Sequence, residues 1–166
     1  MIKILFVISI CGLIVSTIAH IATLFGVNPQ NVFPAVWGLH FLLLAVWIPI
    51  ILINRKMATG DNRKNVLKTI MKHTPFWLKA LSVVLFIYAF VSFFYSVFVL
   101  NSGGVPSIVS GQKVLESHGK IIRILTEQEY ELHQAYAVRA FSSIWLIFYM
   151  VGIAALYSMR KENPEG

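Results

Sequence analysis

The stretch from Ile4 to Phe25 reads ILFVISICGLIVSTIAHIATLF, 22 residues without a formal charge. A helix rises about 1.5 Å per residue and the hydrocarbon core of a bilayer is about 30 Å thick, so about 20 such residues are enough to cross it. Three further stretches meet the same requirement: Val32 to Ile53, Phe76 to Leu100 and Ala135 to Tyr157. The first three of the four hold one formal charge, Lys79, close enough to an end to snorkel outward; the fourth holds Arg139. Composition agrees, with 57% hydrophobic residues, 13% charged and a mean hydropathy of +0.73. A soluble domain carries about 25% charged residues. A water-soluble reading does not fit, and disorder, which needs low hydrophobicity and high charge, is excluded.

Where the charge lies decides what the net +7 means. The segment between the second and third spans, taken with Lys79 at the start of the third, carries Arg55, Lys56, Arg63, Lys64, Lys68, Lys72 and Lys79 against only Asp61. The segment between the third and fourth carries Lys113, Lys120 and Arg123 against Glu116, Glu127, Glu129 and Glu131. The positive-inside rule places the basic segment, Lys3 and Arg160/Lys161 in the cytoplasm and the acidic segment outside. All four spans agree with that orientation, which puts both termini in the cytoplasm. The positive excess is therefore a topology signal, and a nucleic-acid partner is not expected. Within the basic loop, Asn62 to Thr74 reads as an amphipathic helix. Val66, Leu67, Ile70 and Met71 share one face, and Lys64, Lys68 and Lys72 line another, suited to anionic lipid at the membrane surface.

The connections are equally legible. Gly26 to Asn31 is a short uncharged turn that should hairpin the first two spans. Pro34 suits a first helical turn, whereas Pro49 lies inside the second span and should kink it. Thr74-Pro75 reads as N-cap and first-turn proline of the third span. Thr17-Ile18-Ala19 resembles a signal-peptide cleavage site, but the apolar run continues past it to Phe25. In the segment 101–134, Ser107 to Ser110, Lys113 to Ser117 and Ile121 to Leu125 are β-prone runs separated by Ser110-Gly111 and His118-Gly119. They predict a small hairpin or three-strand meander. Thr126 and Glu129 fit a capping box that starts a helix running into the fourth span. The fold expected is an all-α transmembrane four-helix bundle, one integral membrane domain over residues 1–166. It carries a cytoplasmic surface helix in the loop 54–75 and an extracytoplasmic β-hairpin plus helix at 101–134.

Fixed orientation allows depths to be compared. His20 and His40 lie about 7 and 12 Å from the outer ends of their spans, and Arg139 about 6 Å. Ser92, Tyr95, Ser96, Ser142 and Ser143 share this outer half, with His133 and Tyr136 at its boundary. Two neutral imidazoles can ligate a haem iron, and an arginine can hold a propionate, a quinone oxygen or a lipid phosphate. His20, His40 and Arg139 are thus candidates for haem b, quinone or lipid. The plainer alternative is interhelical hydrogen bonding, at about 0.6 kcal/mol per pair, with Arg139 snorkelling. Glu127, Glu129 and Glu131 near His133 could bind a divalent ion, but acids at a helix start are favoured by the helix dipole alone. Cys11 stands alone, so no disulfide, Cys-based zinc or iron–sulfur site is expected. No Asp or Glu lies in any span, and no nucleotide loop, zinc-protease helix or Ser/His/Asp set is present. No catalytic or metal residues are assigned.

Three blocks carry a resemblance: Phe33-Pro34-Ala35-Val36-Trp37-Gly38-Leu39-His40, Val46-Trp47-Ile48-Pro49, and Ser117-His118-Gly119-Lys120-Ile121-Ile122-Arg123 through Glu129-Tyr130 to Arg139-Ala140-Phe141-Ser142. In these the chain resembles a family of small bacterial multi-pass, four-helix membrane proteins of uncharacterised function. It departs from that pattern around Trp145, where Ile144 is bulkier than the family's residues. The resemblance implies a bacterial plasma (inner) membrane and supplies no activity. The leading expectation is a non-enzymatic interaction, assembly or lipid-binding protein, acting on lipid, a second copy or a membrane-protein partner. The alternatives are a single-haem or quinone-linked redox protein using His20 and His40, and a small channel or carrier.

Overall fold

The structure is a computed structural model describing residues 1–57 and 71–162, without the side chains of 55–57. The surface helix expected at 62–74, with Lys64 and Lys68, lies almost wholly outside the described residues. The elements are α1 (Ile2–Leu24), a one-turn α2 (Pro29–Val32), a 3-10 turn (Pro34–Trp37), α3 (Gly38–Met57), α4 (Phe76–Phe94), a π-helical turn (Tyr95–Leu100), strands β1 (Val105–Val109), β2 (Gln112–Ser117) and β3 (Lys120–Ile124), and α5 (Glu127–Glu162). The chain is mostly helical, with four long apolar helices and a small three-stranded sheet, as the sequence leads one to expect. By length and composition the four helices are long and apolar enough to cross a membrane.

Local sequence explains most boundaries. Asn28 caps α2, its side chain accepting from the Gln30 N–H at 3.1 Å. Pro34 opens a 3-10 turn, so α3 begins only at Gly38, and it runs unbroken past Pro49. Thr74 stands just before α4 and is buried. Its hydroxyl donates to the Ala154 carbonyl at 3.0 Å, because a buried hydroxyl facing a neighbouring helix finds its acceptor there. The third apolar stretch ends in π rather than α geometry, the Asn101 N–H reaching back to the Ser96 carbonyl at 3.0 Å.

The sheet is an antiparallel meander, β1–β2–β3, with Val109 opposite Gln112 and Ser117 opposite Lys120. Both connections are two-residue loops with positive φ throughout, Ser110 (50°)–Gly111 (78°) and His118 (52°)–Gly119 (78°). Loops of this kind match the strand twist, and glycine supplies the second left-handed position without a Cβ clash. The capping box at the start of α5 is formed as expected. The Thr126 N–H donates to Glu129 Oε2 at 2.8 Å, and the Glu129 N–H to Thr126 Oγ1 at 3.3 Å. With 36 residues α5 is about 54 Å long, so its polar first two turns extend beyond the apolar stretch 135–157.

Two compact units divide the chain. The first comprises residues 1–15, 37–86 and 145–166. Its core joins Ile2 and Leu5 of α1, Val46 and Ile50 of α3, and Ala155, Leu156 and Met159 of α5. Helices approach closely here: Tyr149 is fully buried, and its hydroxyl donates to the Leu39 carbonyl at 2.8 Å. The second unit comprises 16–36 and 87–144 and carries the sheet, whose core is Leu115, Leu125 and Tyr130.

Candidate functional site

The polar residues singled out in the sequence gather chiefly in the second unit. His20 is 3% exposed, and both its ring nitrogens are engaged. Nδ1 lies 2.8 Å from Ser142 Oγ and Nε2 2.5 Å from the Tyr88 hydroxyl. Ser142 Oγ donates to the Arg139 carbonyl at 3.1 Å, which spends its only proton. The network therefore assigns the imidazole proton to Nδ1, donating to Ser142, with Tyr88 donating to Nε2. A serine, a neutral imidazole and a phenol thus tie α1, α4 and α5 together. Beside them Ser143 Oγ donates to the carbonyls of Ala140 (2.6 Å) and Ala89 (3.3 Å).

Arg139 is half-buried, its guanidinium carbon 5.9 Å from the centre of the Tyr95 ring. Its Nε is buried without a hydrogen-bond partner, as are the hydroxyls of Ser92 and Ser96. A second cluster surrounds His133, which is 5% exposed. Arg123 Nη2 donates to His133 Nε2 at 2.9 Å, so the proton sits on Nδ1 and is donated to Asn101 Oδ1 at 2.7 Å. Tyr136 packs edge-on against the ring at 5.7 Å. Burial, and then the neighbouring Arg123 charge, hold the His133 pKa below its ordinary value. One imidazole so joins β3, the end of the π turn and α5.

His40 belongs to the first unit. Its ring stacks on Trp37 at 5.7 Å and meets Trp145 edge-on at 5.1 Å. Trp145 is fully buried, as its place in mid-span suggests. Lys72 is exposed.

The acidic start of α5 has its charges met. Glu127 pairs with Lys113. Glu129 takes Arg123 Nη1 at 2.7 Å, and its carboxyl is held down to about 2 by the Thr126 N–H first, then by Arg123. Glu131 accepts from Asn28 Nδ2 (2.9 Å) and Asn31 Nδ2 (2.8 Å), which lower its pKa. Among the described residues no three His, Cys, Asp or Glu side chains gather as a metal ion needs.

Chemically the His20 ring is held at Nδ1 by Ser142 and at Nε2 by Tyr88, and among the described residues no carboxylate is hydrogen-bonded to it. It offers hydrogen-bonded cross-links between helices and, at Arg139, a cation over an aromatic ring. Sequence reasoning missed Tyr88, Asn101 and Asn28. A hydroxyl inside an apolar span was the available signal for the first, while the asparagines read only as helix breakers. The chain matches no protein-family model, no curated protein and no solved structure.

Proposed function

We propose that this is a multi-pass protein of the bacterial plasma membrane, both termini cytoplasmic. It performs no reaction of its own and binds lipid, a second copy or a membrane-protein partner through the segment 101–134 and the polar cluster. One observation carries this reading: His20 and His133 have both ring nitrogens engaged within the protein, while large apolar side chains face outward. On α4 and the π turn, Phe86, Ile87, Phe90, Val91, Phe94 and Phe98 are 41–62% exposed. Soluble monomers rarely expose contiguous apolar patches above a few hundred Å². Lipid or an apolar partner must cover such a surface.

Chemical crosslinking in membranes followed by native mass spectrometry tests the proposal. Retained lipid or a crosslinked partner is expected; a strictly monomeric protein carrying neither overturns it. The haem alternative requires a free nitrogen on His20, so Tyr88 or Ser142 would have to be displaced first. A Soret band in the purified protein would restore that alternative.

A further inference from the structure

At the end of the first unit where the described chain begins and ends, a cavity of about 550 Å³ is lined by Lys3, Phe6, Tyr157, Arg160 and Lys161. Helical spacing explains its make-up. Lys3 and Phe6 are three apart, and Tyr157, Arg160 and Lys161 are three and four apart, so each set shares one helix face. Both faces have the same polarity gradient, with the cation toward the helix end and the aromatic ring one turn further in. Three cations thus face one concavity, and among the described residues no carboxylate lines it. Among the described residues the ion pairs are Lys113–Glu127 and Arg123–Glu129, both in the other unit.

Topology and helix dipoles account for part of this. Arg160 and Lys161 stand at the C-terminal end of α5, where positive charge is favoured. Lys3 stands in the first turn of α1, where it is not, and that turn contains no acid to offset it. An anion shared by the two helices resolves the mismatch, because it meets Lys3 and the two cations of α5 together.

We infer that this cavity seats the phosphate of an anionic phospholipid. The aromatic floor distinguishes a lipid from a soluble anion. The Phe6 ring and the ring face of Tyr157 offer nothing to a hydrated phosphate, but an acyl chain can lie against them, and Ile4 and Val7 of the same helix end are exposed apolar side chains as well. The inference rests on the membrane reading above and adds to it a headgroup class and a place.

The full chain, reconstituted in vesicles of phosphatidylcholine with a minor fraction of phosphatidylglycerol, is released into the gas phase and its retained lipids are counted by native mass spectrometry. The wild type should retain phosphatidylglycerol selectively. Lys3→Gln should weaken that selectivity roughly fivefold, and Arg160→Gln with Lys161→Gln by more, on the scale of one surface cation per anionic headgroup. Lys79→Gln, outside the cavity, should leave it unchanged. If the double variant does not fold, the single Lys3→Gln decides. Unchanged selectivity in the cavity variants overturns the assignment, and so does release of the lipid by millimolar inorganic phosphate, which would mark a soluble-anion site. Failure of the wild type to enter any vesicle overturns the membrane reading itself, an outcome distinct from both.

Discussion

At Gly12 a Cβ would lie 2.4 Å from the ring of Tyr149, a side chain that is fully buried and tethered through its hydroxyl to Leu39. The ring has no room to yield, so Gly12→Ala should destabilise the protein by about 1–3 kcal/mol, the cost of overpacking a closed contact. Thermal unfolding in detergent measures it, and an unchanged midpoint would show the helices free to separate. Tyr88→Phe removes the donor to His20 Nε2 and leaves that nitrogen buried and unpaired, at a cost of about 1–3 kcal/mol. Glu129 behaves differently because its partners favour its charge. Its folded pKa of about 2 lies below the ordinary 4.5, so its contribution is complete above pH 4.5 and fades as pH falls toward 2. Its carboxyl carbon shift should titrate near the lower value, with the start of α5 fraying over the same interval. A midpoint near 4.5 would mean the capping box is not held in solution.

Among the elements, the sheet is joined to the helices by His133, and there the sign of the pH effect follows from the tautomer. Arg123 donates to Nε2, so this contact needs the neutral ring, and a second proton would turn acceptor into donor against a cation. Around the ring stand Arg123 of β3, Asn101 just after the π turn, and Glu129 and Tyr136 of α5; of these the Glu129 charge favours the charged form. Because burial and Arg123 prevail, the folded pKa lies below 6.5, so the contact is complete above that value and weakens as pH falls below it. The protection of β3 amides, measured relative to their intrinsic exchange at each pH, should fall on acidification from neutral pH, and in His133→Phe it should be low at every pH. Protection indifferent to pH would mean that the sheet is held by Leu115, Leu125 and Tyr130 alone. These elements also show what sequence can reveal. The meander and the capping box depend on residues a few positions apart, and both were legible. The partner of His20 was not, because counting inward from helix ends assumes that the ends are level. Tyr88 lies twelve residues before the end of its apolar stretch and His20 five before the end of its own, yet their side chains meet. Rotation about a helix axis is likewise set by packing, which is why the triad of candidates His20, His40 and Arg139 fixed composition without geometry. The π turn has no local signature at all.

For the molecule as a whole, the distribution of burial is uneven. Of the most apolar 18 residues in each long helix, 72% are buried in α5, against 33% in α1, 28% in α3 and 17% in α4. The described surface of α1 includes Cys11, an exposed thiol in the middle of an apolar helix, and it serves as a built-in reporter. If lipid covers this face, a water-soluble maleimide should leave Cys11 unmodified in vesicles and label it fully after denaturation in dodecyl sulfate. Rapid labelling in intact vesicles would place that face in water. The same imbalance bears on synthesis. A ribosome delivers α5 after α1, α3 and α4, so these are made before the helix that supplies Ser142 to His20, Ala154 to Thr74 and Phe148 to Trp47. Until it arrives these donors and acceptors lack their partners, and the nascent chain should be open to quality-control proteases in that interval. A premature stop before residue 127 should therefore yield a chain that is inserted but short-lived.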